Sequence, residues 1–450
     1  MAKNGNRLET WIARIVLLIG ALVAVIVGLP MYIRATATPL HPQPQSAPSV
    51  TQSEPSPQWA DAVARARQVM RAGLGEQNLP GLSVAVGVGR HIVWAEGFGW
   101  ADIEKRVPVT PNTGFRIGTA STVLTSAAVG VLLEKDRLKL DEEIQTYVPQ
   151  FPKKQWPVTL RQLMGHVAGV RTDSGDEGPL FRQRCERPVD ALQHFADGES
   201  LFEPGTQYRY SKYGWILVSA AIEGAADQPF LSFMREQIFQ PLGMDHTGAE
   251  SATEENPEHV GEPEEDAPFL TFIREVILEP LGIGGTKATS AEIPDRATFY
   301  FPRFGADPRY GRHLMRPHNL SCYAGSMAFL STPSDLVRFG LAMNSGKLLQ
   351  PATVQLLQTS QQLTSGQQTG YGLGWDLETV TVAGEPAQAV GHEGESLGGK
   401  VVSLLMFRER GIVVAVTSNI SYADTFSLAL KVAEGFAEQG RRPAAEHQPI

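Results

Sequence analysis

The sequence predicts an α/β fold, in which an antiparallel sheet is flanked by helices and joined to an all-helical region, preceded by one N-terminal transmembrane helix. An apolar run of roughly 19 residues near the N-terminus predicts the transmembrane helix. A helix and a hairpin pattern open the domain, and strand-like runs with a closing helix end it. Between these two parts, helical and loop patterns alternate to about residue 345. This order of elements indicates one large domain behind a membrane anchor.

The apolar run extends from Ile15 to Ile33 and is long enough to cross a bilayer. Lys3, Arg7 and Arg14 precede it, and only Arg34 follows closely. Because basic residues favour the cytosolic side, we expect residues 1–14 in the cytosol and the main domain outside it, in the periplasm or at the cell surface. The protein is then a single-pass membrane protein.

A cleaved signal peptide is the alternative interpretation of this segment, since Ala35-Thr36-Ala37 offers a small-x-small cleavage site. We favour the anchor because the apolar run exceeds the usual length of a signal-peptide core. Residues 34–57 are then rich in Pro, Ser and Gln, which predicts an extended, solvated linker that holds the domain away from the membrane. Both interpretations export the domain.

The domain is expected to span residues 58–440, with a flexible tail at 441–450. A short amphipathic helix from about Trp59 leads into a hairpin over Gly81 to Trp100. Strands are predicted at Gly370–Thr379, Val390–Phe407 and Ile412–Asn419, and a last helix at Ala423–Ala437.

A tandem duplication interrupts this pattern. Residues 229–251 recur as residues 268–290, a shift of 268 − 229 = 39 positions. The connector, residues 252–267, carries seven acidic residues and no Lys or Arg, which predicts a solvated loop. Two copies are fewer than the roughly three stacked units that a solenoid needs. The sequence leaves open which copy packs in the domain.

Composition excludes several classes of function. The net charge of −9, without any basic cluster, argues against a nucleic-acid partner. Cys185 and Cys322 lack the spacing of a zinc site, and no metal or organic cofactor is expected. The two cysteines either pair in an oxidising compartment or stay reduced as buried small hydrophobes, which we favour.

Three segments carry the candidate chemistry: Thr119 to Thr122, Tyr210 to Lys212, and His392 to Gly394. The first precedes apolar residues at helical spacing, so it lies at a helix N-terminus. There a hydroxyl and a lysine three positions later share one helix face, and the amine can accept the hydroxyl proton. Ser121 does not fit the nucleophile position, because Leu124 stands where its base would be.

The three segments, in this order, resemble the motifs of serine beta-lactamases and penicillin-binding proteins. The resemblance covers roughly residues 60–437 and is closest to the branch of class C beta-lactamases, esterases, D-aminopeptidases and mitochondrial serine beta-lactamase-like proteins. The matching stretches include Leu163–Val170, Pro241–Met244 and Gly370–Trp375. It implies the beta-lactamase fold. The Ser-x-x-Lys motif is altered, with Thr119 and Thr122 in place of serine and lysine.

The resemblance also implies roles for the site residues. Tyr210 corresponds to a general base or proton relay, Lys212 to the position that normally faces the motif lysine, and His392 to a donor toward the substrate. Gly394 belongs to a His-x-Gly variant of the third motif, and the N–H group of Glu395 would complete the oxyanion hole.

Two functions follow from this altered motif. One is hydrolysis or acyl transfer on an ester, amide or peptide, with the Lys212 ammonium moved into the space left by Thr122. The other is a catalytically inactive, membrane-tethered binding or scaffolding protein, for which self-association is implied by analogy. Glu393 and Glu395 predict poor binding of an anionic penicillin and better binding of a substrate with a free amine.

Another motif match, Gly-x-Ser-x-Gly at 394–398, lacks the following helix of an alpha/beta-hydrolase elbow. His166 is expected to be structural.

Overall fold

The computed structural model describes residues 11–441, apart from residues 13, 21–23, 172–179, 182, 250–294 and 316–317. The second copy of the duplication, the acidic connector and the tail from 442 onward therefore lie outside the described residues. The first copy is described up to residue 249, and it packs into the core through Phe230, Phe233 and Phe239.

Antiparallel strands form the centre of the domain. The main sheet has the order β1-β3-β2-β13-β12-β11-β10, with β4 paired to β3 at one edge. Short pairings join β5, β6 and β9, and β7 joins β8 as a separate hairpin. The strands are β1 (Ser49–Thr51), β2 (Gly81–Val88), β3 (His91–Asp102), β4 (Val107–Pro108), β5 (Phe115–Arg116), β6 (Gly248–Ala249), β7 (Tyr300–Pro302), β8 (Arg312–Leu314), β9 (Phe329–Ser331), β10 (Asp376–Val382), β11 (Glu385–Ser396), β12 (Gly399–Phe407) and β13 (Ile412–Ser418).

Helices cover both faces of this sheet. They are α1 (Leu29–Ala35), α2 (Ala60–Glu76), α3 (Ser121–Glu134), α4 (Leu160–Met164), α5 (Lys212–Ala226), α6 (Phe230–Met234), α7 (Gln240–Leu242), α8 (Ala324–Met327), α9 (Pro333–Ser345), α10 (Pro351–Leu357) and α11 (Thr425–Arg441). Helices α2 and α11 share one hydrophobic cluster with Val84 and Val86 of β2. Ala85 belongs to the cluster on the other face, with α3, α5 and α9. Because side chains alternate along a strand, β2 contributes to both cores.

The predicted helix before the hairpin, the hairpin itself and the closing helix are all present. Two strand predictions were wrong in detail. Residues 370–375 are irregular, since Gly370 and Gly374 have φ of +74° and +96°, and the strand begins only at Asp376. The run Val390–Phe407 is two strands, because Leu397 and Gly398 turn the chain with φ of +51° and +85°.

The prediction of a solvated linker was wrong, because residues 40–52 pack on the domain. The amide of Leu40 donates to Asn78 Oδ1 at 2.7 Å, and strand β1 pairs with β3. Arg71 donates to the carbonyl oxygens of Pro44, Gln45 and Ala47. These contacts use backbone groups rather than apolar side chains, so the composition of the segment does not reveal them. We refer to residues 40–52 as the strap.

Among the described residues, no helix is both long enough and apolar enough to cross a membrane.

Cys185 and Cys322 form a disulfide that joins positions 137 residues apart in the sequence. The expectation of two reduced, buried cysteines was therefore wrong. The disulfide ties the segment after residue 182 to the turn Ser321–Tyr323, which directly precedes α8.

Candidate active site

Thr119 lies where the sequence places the nucleophile, at the start of a helix. A 3-10 turn over Gly118–Ala120 leads directly into α3, and Thr119 is buried. A Cβ atom on Gly118 would lie 2.0 Å from the carbonyl oxygen of Glu395, and Gly118 has φ of +50°. A Cβ on Gly394 would lie 2.0 Å from the carbonyl oxygen of Ile117. The two glycines therefore allow strand β11 to approach the backbone beside Thr119.

The hydroxyl of Thr119 is bonded to the backbone of β11. It accepts a hydrogen bond from the N–H of Glu395 at 2.9 Å and donates one to the carbonyl oxygen of Glu393 at 3.3 Å. An oxyanion hole needs backbone N–H groups about 2.7–3.1 Å from the developing charge, beside the nucleophile. The Glu395 N–H points at the nucleophile position from the strand, and the N-terminus of α3 adds its own positive end. This geometry holds a backbone N–H donor beside the Thr119 hydroxyl, within reach of an acyl group attacked there.

Thr122 occupies the position of the motif lysine but turns its hydroxyl back into its own helix. The hydroxyl donates to the carbonyl oxygen of Thr119 at 2.9 Å, and the residue is fully buried. This bond is the usual local bond of a threonine inside a helix. The hydroxyl also lies close enough to Tyr371 to lower the pKa of that phenol, although burial raises it far more. Thr122 supplies no base to Thr119.

Tyr210 lies beside Thr119, just before the N-cap residue Ser211 of α5. Burial raises the pKa of Tyr210 well above its usual value, and the charge of Asp376 raises it further, while the Thr119 hydroxyl lowers it slightly. The phenol is therefore protonated at neutral pH. Its hydroxyl is buried and makes no hydrogen bond of good geometry within the described part of the chain.

Lys212 is the first residue of α5 and is half-buried. The Thr119 hydroxyl is bonded to the backbone of Glu393 and Glu395 and lies within reach of the Tyr210 hydroxyl, and none of these contacts involves the Lys212 amine. The expected proximity of the Lys212 amine to Thr119 therefore stays a prediction.

Both ring nitrogens of His392 are bonded inside the protein. Nδ1 lies 2.6 Å from the carbonyl oxygen of Glu393, which can only accept, so this nitrogen carries the proton. Nε2 then accepts from the hydroxyl of Tyr371 at 3.0 Å. The expected role as donor to a substrate needs a free N–H group, which this arrangement does not provide. His392 instead orients Tyr371 and the backbone at Glu393.

His166, which the sequence analysis expected to be structural, contacts two aromatic residues of the site. Its ring lies 4.0 Å from that of Tyr210 and 4.8 Å from that of Tyr371. The N–H of Ser211 donates to its Nδ1 at 3.1 Å. Burial and then the nearby His392 lower its pKa well below the usual value, so the ring is neutral. His166 positions the Tyr210–Ser211 segment and carries no charge into the site.

Asp376 and Tyr371 are site residues that the motif analysis did not single out. Asp376 Oδ2 accepts from the N–H of Glu393 at 3.1 Å and lies 3.8 Å from His392 Nδ1. Both residues belong to the region Gly370–Asp376, whose first six residues match the family pattern. The match of this region to the family pattern was the sequence signal that could have led to Tyr371 and Asp376.

Acidic groups surround the end of β11. Glu393 pairs with Lys400 at 2.5 Å, whereas Glu395 is exposed to solvent. The pKa of Glu378 is raised by burial and by the charges of Asp376 and Glu393. Among the described residues, the charges of Glu393, Asp424 and Glu395 act on Lys400, and Asp376 and Glu378 lie on the neighbouring strand, so carboxylates outnumber this lysine and make the rim of the site negative. Within the described ranges, no cluster of three His, Cys, Asp or Glu side chains could hold a metal ion.

Comparison with known proteins gives relatives of this chain in sequence and in fold. Human LACTB, a mitochondrial serine beta-lactamase-like protein, is 26% identical over 503 aligned positions, which cover 88% of this chain and 84% of that protein. The octameric penicillin-binding protein homologue from Pyrococcus abyssi superposes with a TM-score of 0.61 at 20% identity, over 82% of this chain and 76% of that one. A D-amino acid amidase from Ochrobactrum anthropi gives a TM-score of 0.60 at 22% identity, over 84% of this chain and 97% of that one. These two structures share the fold.

The beta-lactamase family model matches residues 66–268 and 258–435 of this chain. The two matched segments overlap at residues 258–268, in the connector and the first residue of the second copy, and together they include all three motif segments. The chain therefore belongs to the beta-lactamase family.

Proposed function

We propose that this domain transfers or hydrolyses the acyl group of an ester, amide or peptide, with Thr119 as the nucleophile. The observation that carries the proposal is the 2.9 Å contact between the Thr119 hydroxyl and the N–H of Glu395. This contact, at the N-terminus of α3, supports Thr119 as nucleophile and the Glu395 N–H as oxyanion donor. A shared family and fold support the same class of chemistry.

The proposed reaction has two acyl-transfer steps. Thr119 Oγ1 attacks the acyl carbon, and its proton passes to a base and then to the departing alcohol or amine. Water then hydrolyses the threonyl ester by the reverse sequence. We assign the base to Lys212, acting directly or through Tyr210, because the motif lysine is absent and the neutral His166 is held by Ser211.

A catalytically inactive binding or scaffolding protein is the second candidate. The observation in its favour is Thr122, whose hydroxyl is bonded to the Thr119 carbonyl oxygen and cannot replace an amine. The penicillin-binding protein homologue of Pyrococcus abyssi is octameric, which supports self-association as part of this second candidate.

The negative rim indicates which acyl compounds fit the site. Glu395 is exposed beside Thr119, and Asp376 and Glu378 lie on the neighbouring strand β10. A substrate carboxylate would meet repulsion there, whereas a neutral ester or a substrate with a free amine would not. Stoichiometric labelling of the protein by a fluorescent penicillin would contradict this preference.

We also propose that residues 15–33 anchor the protein in a membrane with the domain outside the cytosol. Apolar side chains in this segment are exposed, including Leu17 at 72% and Leu18 at 69%. Exposed side chains of this kind need an apolar environment. The basic residues before the segment support the orientation, and the disulfide supports an oxidising compartment.

Hydrolysis of a short-chain p-nitrophenyl ester by the full-length protein tests the enzymatic proposal. We expect Thr119→Ala and Lys212→Ala to abolish hydrolysis, because one removes the nucleophile and the other removes the base. The matched controls, Thr379→Ala and Lys105→Ala, change exposed residues and should keep the wild-type rate.

Loss of hydrolysis in Thr119→Ala but not in Lys212→Ala would leave the nucleophile in place and refute the lysine base. Hydrolysis by the wild type that does not exceed that of Thr119→Ala would refute catalysis and favour the binding protein.

A further inference from the structure

The N-terminal segment enters the domain at one defined place. Arg303, directly after β7, donates to the carbonyl oxygen of Ile33 at 2.8 Å and to the hydroxyl of Thr36 at 2.9 Å. Helix α1 packs beside the turn Pro308–Tyr310, between β7 and β8. The last residue of the apolar run is therefore fixed to the β7–β8 hairpin.

The chain has little slack beyond this point. Leu40, the first residue of the strap, is already bonded to Asn78 of the domain. The four residue steps from Thr36 to Leu40 span at most about 14 Å when fully extended. No long spacer therefore separates the domain from the end of the apolar run, and the two lie close together.

Exposed apolar side chains lie on this hairpin and on the segment that is tied to it. Leu314 on β8 is 62% exposed, and Phe304 after β7 is 36% exposed. Val107, 45% exposed, is the first residue of β4, and the turn before it is tied to β8 by an ion pair of 2.9 Å between Glu104 and Arg312. We call Val107, Phe304 and Leu314 the hairpin surface. A single exposed apolar residue is ordinary, but here several lie on the part of the domain to which the exposed apolar run is bonded.

Two of the arginines near the hairpin surface are paired with carboxylates. Arg309 is bonded to Asp307, and Arg312 is paired with Glu104. Arg303 donates to the neutral carbonyl oxygen of Ile33, and Arg106, next to Val107, is exposed, so attraction to anionic headgroups adds to the apolar contact. Apolar side chains next to arginines and tyrosines are typical of residues at the boundary between headgroups and acyl chains.

We propose that the hairpin surface rests in the interfacial layer of the bilayer and fixes the orientation of the domain on the membrane. The partner is the lipid surface itself, and the proposal rests on the membrane anchor proposed above.

Leu397 connects the region of the hairpin surface to the active site. Leu397 packs against the cluster of Phe299, Met315 and Leu330, beside the hairpin, and lies two residues after Glu395. Docking therefore places the end of β11 close to the bilayer.

Fluorescence quenching tests the docking on full-length protein in phosphatidylcholine vesicles. A bimane label is attached to a cysteine introduced as Leu314→Cys, and lipids with a nitroxide on the acyl chain serve as quenchers. The matched control is Leu356→Cys on α10, also exposed, at 39%. The neighbouring Gln358 contacts Arg408, at the far end of β12 from Leu397. The nine residues of β12 separate the two ends by roughly 25–30 Å.

A third label at Leu18→Cys reports on the anchor alone. We expect quenching at positions 18 and 314 and none at 356. Quenching at 18 without quenching at 314, or equal quenching at 314 and 356, would overturn the docking and leave the anchor in place. No quenching at 18 would overturn the anchor and the docking with it.

A charge variant tests the role of Arg303. Arg303→Ala removes both bonds to the N-terminal segment, so quenching at position 314 should fall while quenching at position 18 persists. The control is Arg309→Ala, whose side chain is bonded to Asp307 instead. Undiminished quenching at 314 in Arg303→Ala would overturn the fixed orientation.

Discussion

Replacing Gly394 by alanine should separate Thr119 from strand β11. The new Cβ would lie 2.0 Å from the carbonyl oxygen of Ile117 and 2.3 Å from Cγ1 of Val402. Both neighbours are held in the packed core, so β11 must move away from the turn that carries Thr119. Overpacking of this kind costs about 1–3 kcal/mol, and the lost bond between Thr119 and Glu395 adds about 1 kcal/mol. We expect the free energy of unfolding to fall by about 2–4 kcal/mol.

Urea unfolding followed by circular dichroism measures this loss, with Gly440→Ala as the control. A Cβ on Gly440 meets no atom within 4 Å, and the residue lies in the last turn of helix α11, so alanine should change the free energy of unfolding by less than about 0.5 kcal/mol. If the domain is an enzyme, ester hydrolysis in Gly394→Ala should also fall by about 10²–10³-fold, the effect of losing one oxyanion donor. Equal unfolding free energies for Gly394→Ala and the wild type would refute the close approach of β11 to the nucleophile turn.

Three further predictions concern the core. Ser126→Ala should lower the free energy of unfolding by about 1–3 kcal/mol, because Ser126 accepts from the indole of Trp375 at 3.0 Å and both groups are buried; an unchanged value would contradict this. Cys322→Ser should cost about 2–5 kcal/mol, and a reductant should then destabilise only the wild type, since only it has the disulfide with Cys185. Burial raises the pKa of Asp335 in the folded state, despite its bonds to Thr247 and His246 and the charge of Arg338. The stability that proton binding to Asp335 adds is therefore complete below the unfolded pKa of about 3.9 and is lost as the pH rises through the folded pKa. Asp335→Asn should remove this loss, so the stability difference between variant and wild type should change with pH over this window; a constant difference would contradict it.

Periodic apolar patterns made much of the fold predictable. Strand β2 alternates between two cores through Val84, Ala85 and Val86, and such alternation is visible in the sequence. The motif order also led to Thr119 and to the N–H of Glu395, which the structure brings to 2.9 Å.

The aromatic packing of the site could not be predicted in the same way. His166, Tyr210 and Tyr371 are far apart in the sequence, and their ring contacts depend on how α5 and the turn before β10 meet. The tautomer of His392 could not be predicted for a similar reason, because it depends on Tyr371 and on the carbonyl of Glu393. Side-chain partners across a fold are not encoded in local periodicity.

The strap has a practical consequence for work with the isolated domain. Strand β1 covers β3 at the edge of the sheet, with Val50 opposite Gly97. A recombinant domain that begins at residue 58 would leave the backbone groups of β3 unpaired, and unpaired strand edges recruit other chains. A domain that begins at Thr38, just after the Ala35-Thr36-Ala37 site, would keep its own edge strand. Aggregation of the shorter version would then result from the missing strand β1. It would not show whether the intact protein self-assembles.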